Sequence, residues 1–396
     1  MAPTIIRLRA TASNLHDSHP HRVHFLDGIR GWAALFVLFN HLIGGLLTIS
    51  APELVYDKAV FLDHLTHFQY IPLIFTTFIR YITDGHLAVY VFFVLSGYAL
   101  SFHQINFSKR NLALAANSRY FRLMIPIAIV TQITYAVMRM GLIFNLQIAP
   151  QASSEWIRRF FDFDATLKGA LSYSFYDVFF NYSETKTYNP ALWTMPIEII
   201  GSFLIYGFLG LFRENSTVQW KVAIIIATHF FFSMPPYACF FIDYLIAELN
   251  SKFPINKEKV ENILLERSCL LVFALTLIFS TYYVDSDKLV CLFASVIILS
   301  ASYSYHLKRF FSNAISDFLG RISFPLYLIH FLVICSWSSF VYIVAIDHHL
   351  NLTVATYFNL ISSTVICLGL SYLLLPIETL SIKASKKIGQ LFLARS

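Results

Sequence analysis

The chain has 396 residues, 57% hydrophobic and only 13% charged, with a formal net charge of +6. A soluble chain of this length needs more charge to cover its surface, so a soluble globular enzyme is excluded. The basic residues are scattered rather than gathered on one segment, which fits the flanks of membrane spans and not nucleic-acid binding.

Residues 1–24 form a polar tail with Arg7, Arg9, Arg22 and four histidines, His16, His19, His21 and His24. No cleavable leader is evident, so the first apolar run reads as an uncleaved signal anchor. The four histidines lack helical or strand spacing and have no set of carboxylates or thiols with them, and no metal site is expected of them. Apolar runs of span length follow at 26–48, 86–105, 121–142, 191–212, 221–235, 236–249, 268–284, 289–306, 322–346 and 352–377. The fifth and sixth are short and share the Pro235–Pro236 break. The fold class is therefore an all-α polytopic membrane protein with about ten transmembrane helices. It divides into a tail (1–24), a membrane domain (25–377) and a C-terminal tail (378–396). With ten spans, 21 of the 29 Lys and Arg residues fall on the side of the termini and 8 on the other, which predicts that both termini are cytosolic.

The loops at 49–85 and 143–190 then face outward. Their aromatic pieces, Phe68 to Tyr81, Trp156 to Phe163 and Phe175 to Phe180, suit the membrane interface. Asn181 and Asn351 head glycosylation sequons on that side. Cys239, Cys269, Cys291, Cys335 and Cys367 all fall in apolar stretches without a CxxC, and read as small buried hydrophobes.

The first span, LDGIRGWAALFVLFNHLIGG, carries Asp27, Arg30 and His41. Eleven residues are almost three helical turns, so Arg30 and His41 share a face about 16 Å apart. An ionisable residue within a span is costly and is a candidate functional group. Asp27 pairs with Arg30 or serves as a flank residue. The second span carries Ser96, Gly97 and Tyr98. Here Ser-Gly permits close helix approach, and the absence of a GxSxG turn argues against a serine nucleophile. At the start of the third span, Arg119 and Arg122 are three apart on one face, either as membrane anchors or as a grip for an anionic donor beside Arg30. In the fourth span Glu198 lies between Thr194 and Ser202 on one face. It sits about 8 Å below Trp193, close to the level of His41, which makes His41 its expected partner. In the ninth span Ser323, Tyr327 and His330 share a face at i, i+4 and i+7.

Taken together and in this order, the Arg30–His41 segment, FFVLSGY ending at Tyr98, the Arg119/Arg122 pair, LWTMPIE ending at Glu198 and SFPLYLIHF around His330 resemble the acyltransferase-3 family. The resemblance runs from about Phe25 to Pro376, and NPALWTMPIEIIGS looks most like the fungal branch. It implies a membrane-bound acyltransferase, commonly moving acetyl from acetyl-coenzyme A to a hydroxyl of a carbohydrate, lipid or secondary metabolite. It also implies that Arg30 and His41 are needed for activity and that Arg119 and Arg122 contribute. Tyr90, where bacterial members usually carry aspartate, and the lack of an appended soluble domain point away from bacterial surface polysaccharides.

The expected mechanism has His41 as general base on the acceptor hydroxyl or as a transient acyl carrier, with Glu198 orienting or charge-balancing it. Arg30, Arg119 and Arg122 hold the phosphates of acetyl-CoA or another acyl-CoA. Ser96, Thr194, Ser323, Tyr327 and His330 are supporting or acceptor-side residues. The expected partners are the donor, an alcohol acceptor and the lipid bilayer, with no metal and no nucleic acid. Two alternatives remain open at this point: a proton-coupled transporter, and a relay that passes acetyl across the membrane to another enzyme.

Overall fold

A computed structural model describes residues 23–46, 85–102, 109–152, 155–212, 216–253, 262–283 and 286–393. All regular structure among them is helical. The long helices are α1 (His24–Leu46), α2 (Gly85–Phe102), α3 (Lys109–Arg139), α4 (Met195–Phe212), α5 (Ser216–Ser233), α6 (Pro235–Lys252), α7 (Ile263–Ser280), α8 (Asp287–Tyr303), α9 (Ala314–Val333), α10 (Leu352–Leu373) and α11 (Leu375–Leu393). Among the described residues, five helical stretches are long and apolar enough to cross a membrane: Arg110–Arg139, Pro190–Phe212, Ile263–Ser280, Ala314–Asp347 and Leu352–Leu393. A sixth arises if α8 and the short helix Tyr305–Phe311, bent by 102°, count as one. The chain is thus a multi-pass, all-α membrane protein.

The amino acids sort by environment as a bilayer requires. α7 turns Leu264, Leu271, Val272 and Phe279 outward, while α1, α2 and α6 are largely buried. A helix whose outer face is apolar is facing lipid. The four buried cysteines pack inside, and Cys239 and Cys291 bring their free thiols to 3.2 Å.

The tightest crossing is between α1 and α9. It rests on small residues, because side chains would hold the backbones apart. A Cβ on Gly320 would stand 2.5 Å from the Asp27 carbonyl oxygen, and one on Gly31 would run into the backbone at Leu319 and Gly320. Trp32 closes the seam from the side, donating its indole N–H to Ser316 Oγ at 3.0 Å. Gly320→Ala should therefore destabilise the protein by about 1–3 kcal/mol, the usual cost of overpacking, and lower its thermal midpoint in detergent. An unchanged midpoint would mean that the crossing is loose.

Several helices begin or end away from the apolar runs. α3 starts at Lys109, three turns before the run at 121–142, so Arg119 and Arg122 lie inside a helix rather than at its start. α9 starts at Ala314, where Asn313 Oδ1 accepts from the Ser316 amide at 2.8 Å. Residues 378–396 were expected as a tail. Instead α11 is a helix packed along α3, with Phe392 and Phe121 rings 6.3 Å apart and Ser118 and Leu114 against Gly389. His24 belongs to the first turn of α1 and faces Asp317 at 3.5 Å. His16, His19, His21 and the piece Phe68 to Tyr81 lie outside the described residues.

The bend after α8 has a clear cause. Glu266 of α7 caps the short helix that follows: its carboxylate accepts from Ser304 Oγ (2.6 Å), the Tyr305 amide (2.8 Å) and the His306 amide (3.2 Å). An acidic group on the exposed amides of a helix start satisfies donors that have no partner within the helix.

Candidate active site

The helical spacing of α9 brings Ser323, Tyr327 and His330 to one buried face, as expected from i, i+4 and i+7. Each of the three then finds a partner. Arg30 donates through Nε to Ser323 Oγ (3.1 Å) and through Nη2 to Asp27 Oδ1 (2.8 Å). Asp27 therefore does pair with Arg30. Tyr327 donates to the Ala191 carbonyl and lies 2.8 Å from Thr194 Oγ1, so the threonine supplies the proton of that second bond.

His330 meets His41. Nε2 of His330 and Nδ1 of His41 are 2.9 Å apart, and the two rings are nearly parallel at 3°. The protons can be placed by elimination. His330 Nδ1 faces the Leu326 carbonyl at 3.1 Å, which only accepts, so Nδ1 carries the hydrogen. His330 Nε2 is then an acceptor, and His41 Nδ1 must donate to it. The lone pair of neutral His41 is left on Nε2, the position a general base needs. His330 is buried at 1% exposure and cannot turn away. Aromatic rings wall the pair: Trp156 stacks on His41 at 5.5 Å, and Phe331 lies 4.6 Å from it.

Glu198 is engaged elsewhere. It was expected beside His41, but it accepts from Ser96 Oγ on Oε1 (2.9 Å) and from Arg119 Nη2 on Oε2 (2.9 Å). Arg119 Nε also donates to Ser202 Oγ at 2.9 Å. Both side chains are enclosed, Arg119 at 12% exposure and Glu198 at 9%, which separates Arg119 from an ordinary membrane anchor. The Glu198 and His41 side chains point to different neighbours.

A cavity with about 800 Å3 of non-atom space joins these elements. Its walls include Arg30, Arg119, Arg122, Ser96, Glu198, Thr194, Ser323 and Tyr327. Arg122 is exposed at this cavity, and among the described residues its guanidinium has no hydrogen-bond or salt-bridge partner. His41 and His330 do not line the cavity. They sit behind Tyr327, whose ring centroid is 6.0 Å from that of His330.

Four residues that the sequence did not single out shape the site. Asn189 caps the turn before α4 and donates Nδ2 to the Leu328 carbonyl at 2.7 Å, pinning the α4 entry to α9. Asn-Pro ahead of an apolar run was the available signal. Trp156 and Phe160 pack on Phe331 and, through Trp156, on His41, rather than lying at the interface. Phe175, Tyr176 and Phe180 do remain exposed. Glu378 of α11 reaches the cavity beside Arg122. α11 also repairs α3: Pro126 has no amide to offer the carbonyl of Arg122 four residues earlier, and Ser381 Oγ donates to that carbonyl instead, at 2.8 Å. Among the described residues no three His, Cys, Asp or Glu side chains converge as a metal site.

A family model described as an acyltransferase domain matches residues 23–374. No curated protein and no solved structure matches the chain.

Proposed function

Because the chain belongs to the acyltransferase-3 family and is a membrane acyltransferase, we propose that it transfers acetyl, or a related short acyl group, from coenzyme A to an alcohol. One observation carries this reading: three arginines converge on a cavity whose far wall, Tyr327, backs onto a histidine pair with a basic lone pair at His41 Nε2. Arginine forks suit phosphate oxygens, and Arg122 lines the cavity beside Glu378 with no hydrogen bond to its guanidinium among the described residues. A pantetheine arm is of the length needed to cross the gap of about 16 Å from Arg30 to His41.

In the reaction, His41 Nε2 takes the proton of the acceptor hydroxyl as its oxygen attacks the thioester carbonyl. The C–S bond then breaks, the ester is released, and the coenzyme A thiolate recovers the proton from His41. Protonated His41 keeps its Nδ1–H bond to His330 Nε2, now charge-assisted, so His330 takes the stabilising role expected of Glu198. Glu198 instead fixes Arg119 in the cavity wall. The acceptor is an alcohol on a small metabolite, a glycan or a lipid.

Arg122→Gln should weaken coenzyme A binding, measured by calorimetry on purified protein, and added salt should weaken it in the wild type. Undiminished affinity in folded Arg122→Gln protein would remove the donor grip. The charge asymmetry of the loops supports a cytosolic position for both termini. Reporters at residue 396 and in the 143–190 loop should then give opposite signals, and Asn181, which is exposed, should accept a glycan. Matching signals would overturn this orientation.

A further inference from the structure

A second cavity lies on the other side of α1, and nothing in the acyl-transfer chemistry uses it. Its walls come from α1, α2, α7 and α8 and from the short helix Tyr305–Phe311, with Trp32, Phe36, Ala88, Phe273, Leu277 and Phe310 among them. Every lining side chain is apolar apart from the indole N–H of Trp32, which is already given to Ser316. The cavity therefore offers no hydrogen bond to an occupant and selects hydrocarbon. Its α1 wall runs from Ile29 to Phe36, about 10 Å of helix, which is the length of a run of methylenes.

The rim of the cavity is different. The short helix turns 102° from α8, with Phe310 and Phe311 on the cavity and Lys308 and Arg309 beside them in sequence. Lys308 Nζ stands 5.6 Å over the ring of Phe25, one turn before Ile29, so its ammonium is held at the cavity's edge. Arg309 is exposed, and Phe310 is half-exposed at 49%. An apolar slot walled by Phe310 and Phe311, with Lys308 and Arg309 on the same short helix, is complementary to a chain with an anionic head.

We propose that this cavity binds one acyl chain of an anionic phospholipid, with the phosphate on Lys308 and Arg309. The lipid backs α1 on the face opposite Arg30 and His41. The proposal does not depend on the acyl donor or acceptor, and its test reads lipid and not transfer.

The test is native mass spectrometry of the full-length protein, delipidated in detergent and then mixed with phosphatidylglycerol or phosphatidylcholine of equal chain length. The wild type should retain one phosphatidylglycerol with at least about a tenfold preference over phosphatidylcholine. The surface double variant Lys308→Gln/Arg309→Gln should lose that preference. Ala88→Phe, which fills the slot and leaves both charges, should lose retention of either lipid. Inorganic phosphate at millimolar concentration should fail to displace the lipid, since it lacks the chain. Equal retention of the two lipids by the wild type would overturn the proposal. So would an unchanged preference in the double variant, or displacement by phosphate alone.

Discussion

His41→Asn should lower acyl transfer at least about a hundredfold, the lower range for loss of a general base. Asn can still donate toward His330 Nε2 but cannot take a proton from the acceptor hydroxyl. Coenzyme A binding should survive, because the arginines that line the cavity lie on the far side of Tyr327. His330→Asn should fall less, because it removes the group that orients His41 and not the base itself. A radiolabel-transfer assay with a parallel binding measurement separates these outcomes. Near-normal transfer by His41→Asn would make His41 a packing residue and remove the centre of the mechanism.

Glu198→Ala should cost about 3–5 kcal/mol of stability, because it leaves the enclosed Arg119 guanidinium without its carboxylate. The paired change Arg119→Met/Glu198→Met should recover most of that loss, since the charge and its partner leave together. Thermal unfolding in detergent reads both. The double variant should nonetheless bind coenzyme A more weakly than the wild type, because one wall cation is gone. If Glu198→Ala is as stable as the wild type, the ion pair is not a structural element. Glu198→Gln, which keeps the acceptor from Ser96, should lie between wild type and Ala.

What could be read in the sequence depended on whether the relevant geometry was local. Ser323, Tyr327 and His330 were placed on one face correctly, because three side chains on one helix are related by helical pitch alone. The pairing of Asp27 with Arg30 was legible for the same reason. The partner of Glu198 was not. An expected height leaves the direction around the axis undetermined, and Arg119 from α3 takes the carboxylate. His330, expected among the supporting or acceptor-side residues, is the partner of His41. The start of α3 was hidden because KRNLALAANS is too polar to register as a span, so helix propensity and packing, not hydropathy, extend it to Lys109. Trp156 read as an interfacial aromatic because nothing in its own segment says that the loop folds back over His41.

The junction of Pro126, Arg122 and Ser381 ties the cavity to the C-terminal helix. The family match ends at residue 374, just before α11 begins at Leu375. Yet α11 completes the backbone at Arg122 and brings Glu378 to the same cavity. A carboxylate beside an arginine competes with any incoming phosphate for the same charge. On the proposed reading of the cavity, the donor's affinity is set jointly by the matched domain and by a segment beyond the match. On that reading, a fusion or truncation at that end should change donor affinity and not merely the handle. On the same proposal, substitutions in α11 retune donor use while the histidine pair stays as it is.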